Sequence, residues 1–223
     1  HKTVKRYFEP MMGGGACFWN YGAPFADRCF LNDINYPLMT TFRLMRDQYQ
    51  LMREKAMELD WMTYNDLRDK FNLYKRHQLP AYELDVATMF CMLMGTCFNG
   101  VYRENKSGGF NCPQGGNSKG VKHEWNRVDW EGLYKAGNVL KNSLAAIECG
   151  SIFPWPWEWA LPGLGDVVVY DPPFAGEYSD YHSSRFTLEH HASLRDQAQG
   201  WADNGATVVV CGSNNEWSWK VYG

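Results

Sequence analysis

Short apolar runs alternate along this sequence with longer stretches in which apolar residues recur every three or four positions, the pattern of an α/β fold. Val4-Lys5-Arg6-Tyr7-Phe8-Glu9-Pro10 and Arg28-Cys29-Phe30-Leu31-Asn32 read as strands, as do Gly165-Asp166-Val167-Val168-Val169-Tyr170 and Ala206-Thr207-Val208-Val209-Val210-Cys211. The last two are apolar and β-branched enough to predict buried strands. Ala145 to Cys149 is a weaker candidate. Leu38, Phe42, Met45, Tyr49 and Met52 fall at alternating steps of four and three, which predicts one long amphipathic helix started by Asn35 and Pro37. Its methionines and aromatics read as core. Further helices are predicted near Tyr64 to Arg76, Tyr82 to Met94 and Trp130 to Leu144, and from about Thr187, where Leu194, Ala198 and Trp201 share a face.

Between about Asp60 and Trp125 the pattern changes. Alternating runs on either side of Ser107-Gly108-Gly109 predict a β-hairpin within Phe98 to Pro113. Between Phe98 and Arg127 the cations Arg103, Lys106, Lys119, Lys122 and Arg127 outnumber Glu104 and Glu124. Such a hairpin can enter a DNA groove, with Arg103 suited to a guanine edge, Asn105 or Asn111 to an adenine edge, and the lysines to phosphates. A solvated hairpin with ordinary surface charge is the competing interpretation.

Composition narrows the classes. The net charge of −3 over 223 residues argues against wholesale coating of nucleic acid but leaves room for a local basic face. Seven scattered cysteines with no CxxC pair suit a reducing cytosol better than a disulfide framework or a zinc site. No apolar run approaches the roughly 18 residues of a membrane span, and no signal peptide is visible. A soluble cytoplasmic protein without metal, acting as a monomer, is expected.

The chemistry centres on Asp171-Pro172-Pro173-Phe174, where the strand through Tyr170 ends. In open α/β sheets the ligand crevice lies beyond the carboxyl ends of the strands. A carboxylate delivered there suits methylation of an exocyclic amine, whose lone pair is delocalised into the base. Asp171 and the Pro172 carbonyl can accept both N–H bonds and favour a tetrahedral nitrogen, while Phe174 offers a face for an extruded base. A proline turn with an incidental acid is the alternative. Met11-Met12-Gly13-Gly14-Gly15-Ala16-Cys17-Phe18 reads as a tight turn in which glycines let a ligand lie against bare backbone. Asp33 follows about 20 residues later, the spacing at which nucleotide-binding folds place an acid on ribose hydroxyls. The glycine spacing is not that of a dinucleotide site, and S-adenosylmethionine fits better. Phe153-Pro154-Trp155-Pro156-Trp157-Glu158-Trp159 is expected to pack on the surface, and His190 and His191 to be surface or packing residues.

The order Phe8-Glu9-Pro10-Met11-Met12-Gly13-Gly14-Gly15, then Asn32-Asp33-Ile34-Asn35, then the hairpin, then Asp171-Pro172-Pro173-Phe174 resembles the Dam-type DNA adenine-N6 methyltransferases over nearly the whole sequence. Asn99-Gly100 with Arg103 and Asn105, Gly109-Phe110-Asn111-Cys112-Pro113, and the stretch from Tyr181 to Glu189 add to it. The resemblance implies a Rossmann-like methyltransferase sheet with an inserted helical plus β-hairpin DNA-recognition lobe. Residues 1–58 and 130–223 would form the catalytic domain, incomplete at both ends, and 59–129 the lobe. It implies that Met11, Gly13 and Gly15 line the cofactor, that Asp33 holds its ribose, and that Asp171 sits between cofactor and flipped adenine. Arg103, Asn105, Asn111 and Pro113 would touch the recognition sequence, of a GATC-like kind, and Phe98, beside Asn99, would insert near the target. Met11 and Phe174 stand where the family usually has Phe and Tyr, and the Trp-Ala-Gly-Gly-Lys-like segment that opens family members does not precede His1. Cytosine-N4 methylation, usually carried by Ser before the two prolines, protein glutamine methylation, usually by Asn, and a DNA-binding module without catalysis are the alternatives.

Overall fold

A computed structural model describes residues 3–77, 80–115, 128–174 and 186–222. The described residues divide into two compact units, one within 1–34, 142–179 and 184–223, the other within 35–141.

The first unit is built on a five-stranded sheet of β1 (Val4–Glu9), β2 (Ala26–Asp33), β3 (Ala146–Cys149), β4 (Val167–Tyr170) and β5 (Thr207–Val210), in the order β3-β2-β1-β4-β5. Every pairing is parallel, with Phe8 beside Phe30 on one side and Val168 on the other. The chain therefore steps outward from β1 through β2 to β3, then resumes on the opposite side with β4 and β5. The order reverses between β1 and β4, and in open α/β sheets ligands bind outside the strands' carboxyl ends at such a point. A single π-helical turn, Phe18–Gly22, and the short α1 (Ala23–Phe25) carry the chain from β1 to β2. The helix α7 (Leu188–Asp203), capped by the Thr187 side chain on the His190 amide, packs on β5 and is followed by α8 (Glu216–Tyr222).

The Trp/Pro loop is core rather than surface packing. Trp157 is fully buried and Trp155 nearly so, in one cluster with Phe8, Phe30, Val168, Tyr170 and Leu194. The ring of Trp157 lies 5.9 Å from Phe8, 5.6 Å from Phe30 and 5.3 Å from Trp155, distances at which tilted aromatic pairs attract. Only Trp159 of the three remains exposed, under the guanidinium of Arg28. The expectation of a second buried strand at 206–211 is also corrected. β5 alternates exposed and half-buried residues because among the described residues it pairs with β4 alone, so its apolar run covers an edge.

The second unit is helical: α2 (Tyr36–Asp47), α3 (Tyr49–Leu59), α4 (Tyr64–His77), α5 (Glu83–Thr96) and α6 (Trp130–Asn142). The helix α5 is buried almost all the way round from Val86 to Leu93, as a helix apolar on every side must be, and α2, α3 and α4 pack against it. The expected insertion 59–129 lies inside this unit, which takes in α2, α3 and α6 as well. The expected single helix from Leu38 through Met52 is two helices. Gln48 leaves the helical region (φ −140°, ψ 33°), and α3 turns so that Met52, Ala56 and Leu59 are buried. No proline or glycine marks the break, so periodicity alone could not place it.

Candidate functional site

The glycine turn follows directly on β1 and is stitched to the end of β2. Met12 N–H donates to the Asn32 carbonyl at 2.9 Å, Gly15 N–H to the Met12 carbonyl at 2.8 Å, and Gly13 N–H to Asp33 Oδ2 at 2.8 Å. Asp33, the last residue of β2, is thus tied to the turn that the sequence paired it with. Gly13 and Gly15 have left-handed φ of +49° and +75°, which side chains resist. A Cβ at Gly13 or Gly14 would meet nothing within 4 Å, so this backbone faces open space, whereas at Gly15 it would collide with the Met12 side chain. Met11 is half-buried against the aromatic cluster of the core.

On the other side of the reversal point, Asp171 follows the last residue of β4. Its neighbour Cys211 donates its N–H to the Tyr170 carbonyl at 2.8 Å. Burial raises the Asp171 carboxyl above the usual aspartate range. Pro172 is buried, while Pro173 and Phe174 are exposed. The loop meets α7 at His191, a buried side chain whose Nδ1 lies 2.6 Å from the Tyr222 hydroxyl. Burial and His190 lower the pKa of that ring, and the Pro173 carbonyl opposes them. Of the segment from Ala175 onward, residues 175–185 lie outside the described residues, as do Lys119, Lys122, Glu124 and Arg127.

The sequence reading missed Glu9. It is the last residue of β1, only 2% exposed, and its carboxylate accepts from the Tyr7 hydroxyl at 2.8 Å and from the Phe18 N–H. Burial, opposed by these two donors and reinforced by the charges of Asp171 and Asp33, pushes it up to about 7. The thiols of Cys17 and Cys211 are pushed up by burial and by the charges of Glu9 and Asp171. A charged residue ending an apolar strand just before a proline and three glycines was the available signal.

Glu9 makes stability pH-dependent. Below its ordinary value of 4.5 the carboxyl is protonated folded or unfolded. Between 4.5 and about 7 the folded chain alone keeps the proton, so stability falls as pH rises through that window, by about 3 kcal/mol in all. In Glu9→Gln this slope is expected to vanish, so the stabilities of the two proteins by urea unfolding should diverge from pH 5 to about 7. Parallel curves would refute the raised carboxyl.

The second unit holds the residues expected to meet DNA. Phe98 is 55% exposed, and Asn99 beside it has a left-handed φ of 55°. The chain reverses between the isolated antiparallel bridges Cys97 to Gln114 and Glu104 to Phe110, so the predicted hairpin is present in outline without an extended ladder. Arg103 Nε donates to Asn111 Oδ1 at 3.0 Å, and both side chains lie on the outer face of the reversal. Pro113 is exposed, and its carbonyl accepts from Phe98 N–H. Asn105 behaves differently. Its Oδ1 accepts from Ser107 N–H, Ser107 Oγ–H and Gly109 N–H at 3.0, 2.7 and 2.9 Å, which closes the turn and leaves that oxygen no lone pair to spare.

Among the described residues no group of three or more His, Cys, Asp or Glu stands in a metal-holding arrangement, and no helix is long and apolar enough to cross a membrane.

The sequence pattern of the family described as "D12 class N6 adenine-specific DNA methyltransferase" matches residues 1–222. A DNA adenine methylase of Escherichia coli is 30% identical over 213 residues, covering 91% of this chain and 69% of that protein. The Type II methyltransferase M1.LlaDCHI of Lactococcus lactis is 27% identical over 232 residues, 99% of this chain and 76% of its own. The Type II methyltransferase M.CviBI of Paramecium bursaria Chlorella virus NC1A is 29% identical over 193 residues, 84% of this chain and 66% of its own. The chain spans 66% to 76% of the length of these relatives.

Proposed function

The chain belongs to the D12 class N6 adenine-specific DNA methyltransferases, and from that premise we propose that it methylates N6 of an adenine flipped out of duplex DNA, with Asp171 as the acid that activates the amine. The carrying observation is that the glycine turn bound by Asp33 and the acid Asp171 stand on opposite sides of one strand-order reversal, β1 to β4. The open backbone at Gly13 and Gly14 suits a nucleoside lying against it, Asp33 suits ribose hydroxyls, and the carboxylates of Asp33 and Asp171 suit a cationic donor. S-adenosylmethionine, the methyl donor the family implies, supplies an electrophilic methyl on a sulfonium. Met11, Gly13 and Gly15 shape its cradle.

Asp171 and the Pro172 carbonyl accept the two N–H bonds of the adenine amine and localise its lone pair. The donor would supply the methyl to that lone pair, its carbon–sulfur electron pair staying with sulfur in S-adenosylhomocysteine, and the methylated nitrogen would return to neutrality by giving one proton to water. The two acceptors are held where charge develops, so they act in the transition state more than in the ground state. Phe174 stacks on the extruded base and offsets part of the few kcal/mol of unstacking. In the second unit, Phe98 acts as an apolar wedge and Asn99 shapes its approach, while Arg103, Asn111 and Pro113 face the recognition sequence. Asn105 holds the turn that presents them. The setting is the cytoplasm of a bacterial or phage-infected cell.

The test is incubation with duplex DNA and methyl-labelled S-adenosylmethionine, followed by digestion and identification of the modified nucleoside. N6-methyladenine is expected, and N4-methylcytosine would overturn the proposal. In Asp33→Ala, titration calorimetry with S-adenosylhomocysteine should show affinity lowered about tenfold to a hundredfold, the worth of hydrogen bonds to a charged group. DNA binding with no measurable cofactor binding in the unaltered chain would identify a binding module instead.

A further inference from the structure

The helix α4 places an apolar stripe of Tyr64, Leu67 and Phe71 on its buried face, and the next position of that stripe is Lys75. A lysine there must repay its desolvation, and it does so with one strand of the reversal. Lys75 Nζ donates to Glu104 Oε1 at 2.6 Å and to the Tyr102 hydroxyl at 2.8 Å, and that hydroxyl donates to Glu104 Oε1 at 2.6 Å. The Lys75 and Glu104 side chains are 9% and 7% exposed, so the pair is screened from salt and water. Burial lowers the Lys75 pKa, and Glu104 works against that.

One turn earlier on the same helix, Asn72 grips the other strand. Its Nδ2 donates to the Phe110 carbonyl at 3.0 Å, and Phe110 N–H donates to its Oδ1 at 2.8 Å, so a side chain completes a strand-like pair. Tyr102 and Glu104 point inward to Lys75. Arg103 between them points outward, as alternation along a strand requires. A shift of one residue would exchange the two faces. Lys75 and Asn72 together therefore fix which side chains the reversal shows to solvent.

We infer that Lys75 is a positioning residue for DNA sequence discrimination: through Tyr102 and Glu104 it fixes the strand on which Arg103 pairs with Asn111 and faces DNA. This rests on the proposal that the reversal reads DNA. Lys75 itself touches no DNA, so the effect is on discrimination and not on the number of phosphates neutralised.

Duplexes selected from a randomised library by the unaltered chain, in the presence of S-adenosylhomocysteine, give its preferred sequence. Affinities for that duplex and a scrambled one are then measured over a range of salt. Lys75→Met alone leaves Glu104 buried and unpaired, so the informative variant is Lys75→Met with Glu104→Gln, which removes both charges and keeps an acceptor for Tyr102. Its melting midpoint, cofactor affinity and salt slope should match the unaltered chain, while preferred-over-scrambled discrimination falls about tenfold, the scale of one well-aligned base contact. Lys75→Arg, which keeps the pair and lengthens it, should lose part of the discrimination. Full discrimination in both variants would overturn the inference and reduce the pair to a stabilising one. A salt slope lower by about one would also overturn it, by making Lys75 a phosphate ligand. Arg103→Ala separates the two ideas. If it too retains discrimination, or if the unaltered chain prefers no sequence, the reversal does not read DNA and both fall.

Discussion

Asp171→Ala is expected to slow methyl transfer to DNA by about a thousandfold, the upper scale seen when a group preorganised for developing charge is removed. The loss should appear in the single-turnover rate and leave the affinity for DNA nearly unchanged, because the N–H bond that Asp171 accepts, like the one to the Pro172 carbonyl, tightens as the nitrogen becomes tetrahedral. The fold should not suffer. Asp171 lies beyond the end of β4, and burial already raises its pKa, so its charge is costly to the folded chain. The variant is expected to unfold at the same or slightly higher urea concentration, the usual trade at a site built for chemistry. Asp171→Asn keeps one acceptor and should fall between the two in rate. The raised carboxyl also sets the acid limb of the pH–rate profile at a higher pH than an ordinary aspartate would. An undiminished rate in Asp171→Ala would remove the acid from the mechanism.

The largest effect on stability is expected at Trp157. Truncation to alanine should cost about 3–5 kcal/mol, because the side chain is fully buried and its cavity would be walled by rigid rings of Phe8, Phe30 and Trp155 that cannot collapse into it. For a domain stable by about 5–15 kcal/mol, that is much of the total. Trp157→Phe should cost far less. The indole Nε1 has no hydrogen-bond partner among the described residues, so the smaller ring gives up volume and no bond. Trp159→Ala, at a position 64% exposed, should be close to neutral. Urea midpoints of the three variants test the ordering, and equal losses at Trp157 and Trp159 would contradict the core assignment.

These two residues mark how far the sequence could be read. The strand before Asp171, the glycine turn and the spacing to Asp33 were legible because each is local: a β-branched run, left-handed backbone at Gly13 and Gly15, and an acid at the next strand's end. Trp157 was not legible, since three tryptophans between prolines look alike until distant strands show which of them they cover. The β5 run Val208-Val209-Val210 misled for a related reason, because its neighbours, not its own residues, determine how much of it is covered. Gln48 ends α2 without a helix breaker. Glu9 was hidden by its place in an otherwise ordinary strand, and its partners Tyr7 and Phe18 come from different local structures. Asn105 was within reach. Asn followed two positions later by Ser and then by glycines is a turn-closing pattern, and its Oδ1 closes that turn.

The pairing of Phe30 with Ala146 has a consequence for how the protein is made. A span of 116 residues separates these strand neighbours, and a closure of that length costs little in equilibrium stability, because the entropy grows only with the logarithm of the span. It costs time, since distant pairings form late. On the ribosome the glycine turn emerges before the helical unit, and Asp171 emerges only after that unit and the tryptophan loop. Until Val168 arrives to pair with Phe8, the nascent chain carries uncovered aromatic faces on β1 and β2, a natural handhold for chaperones.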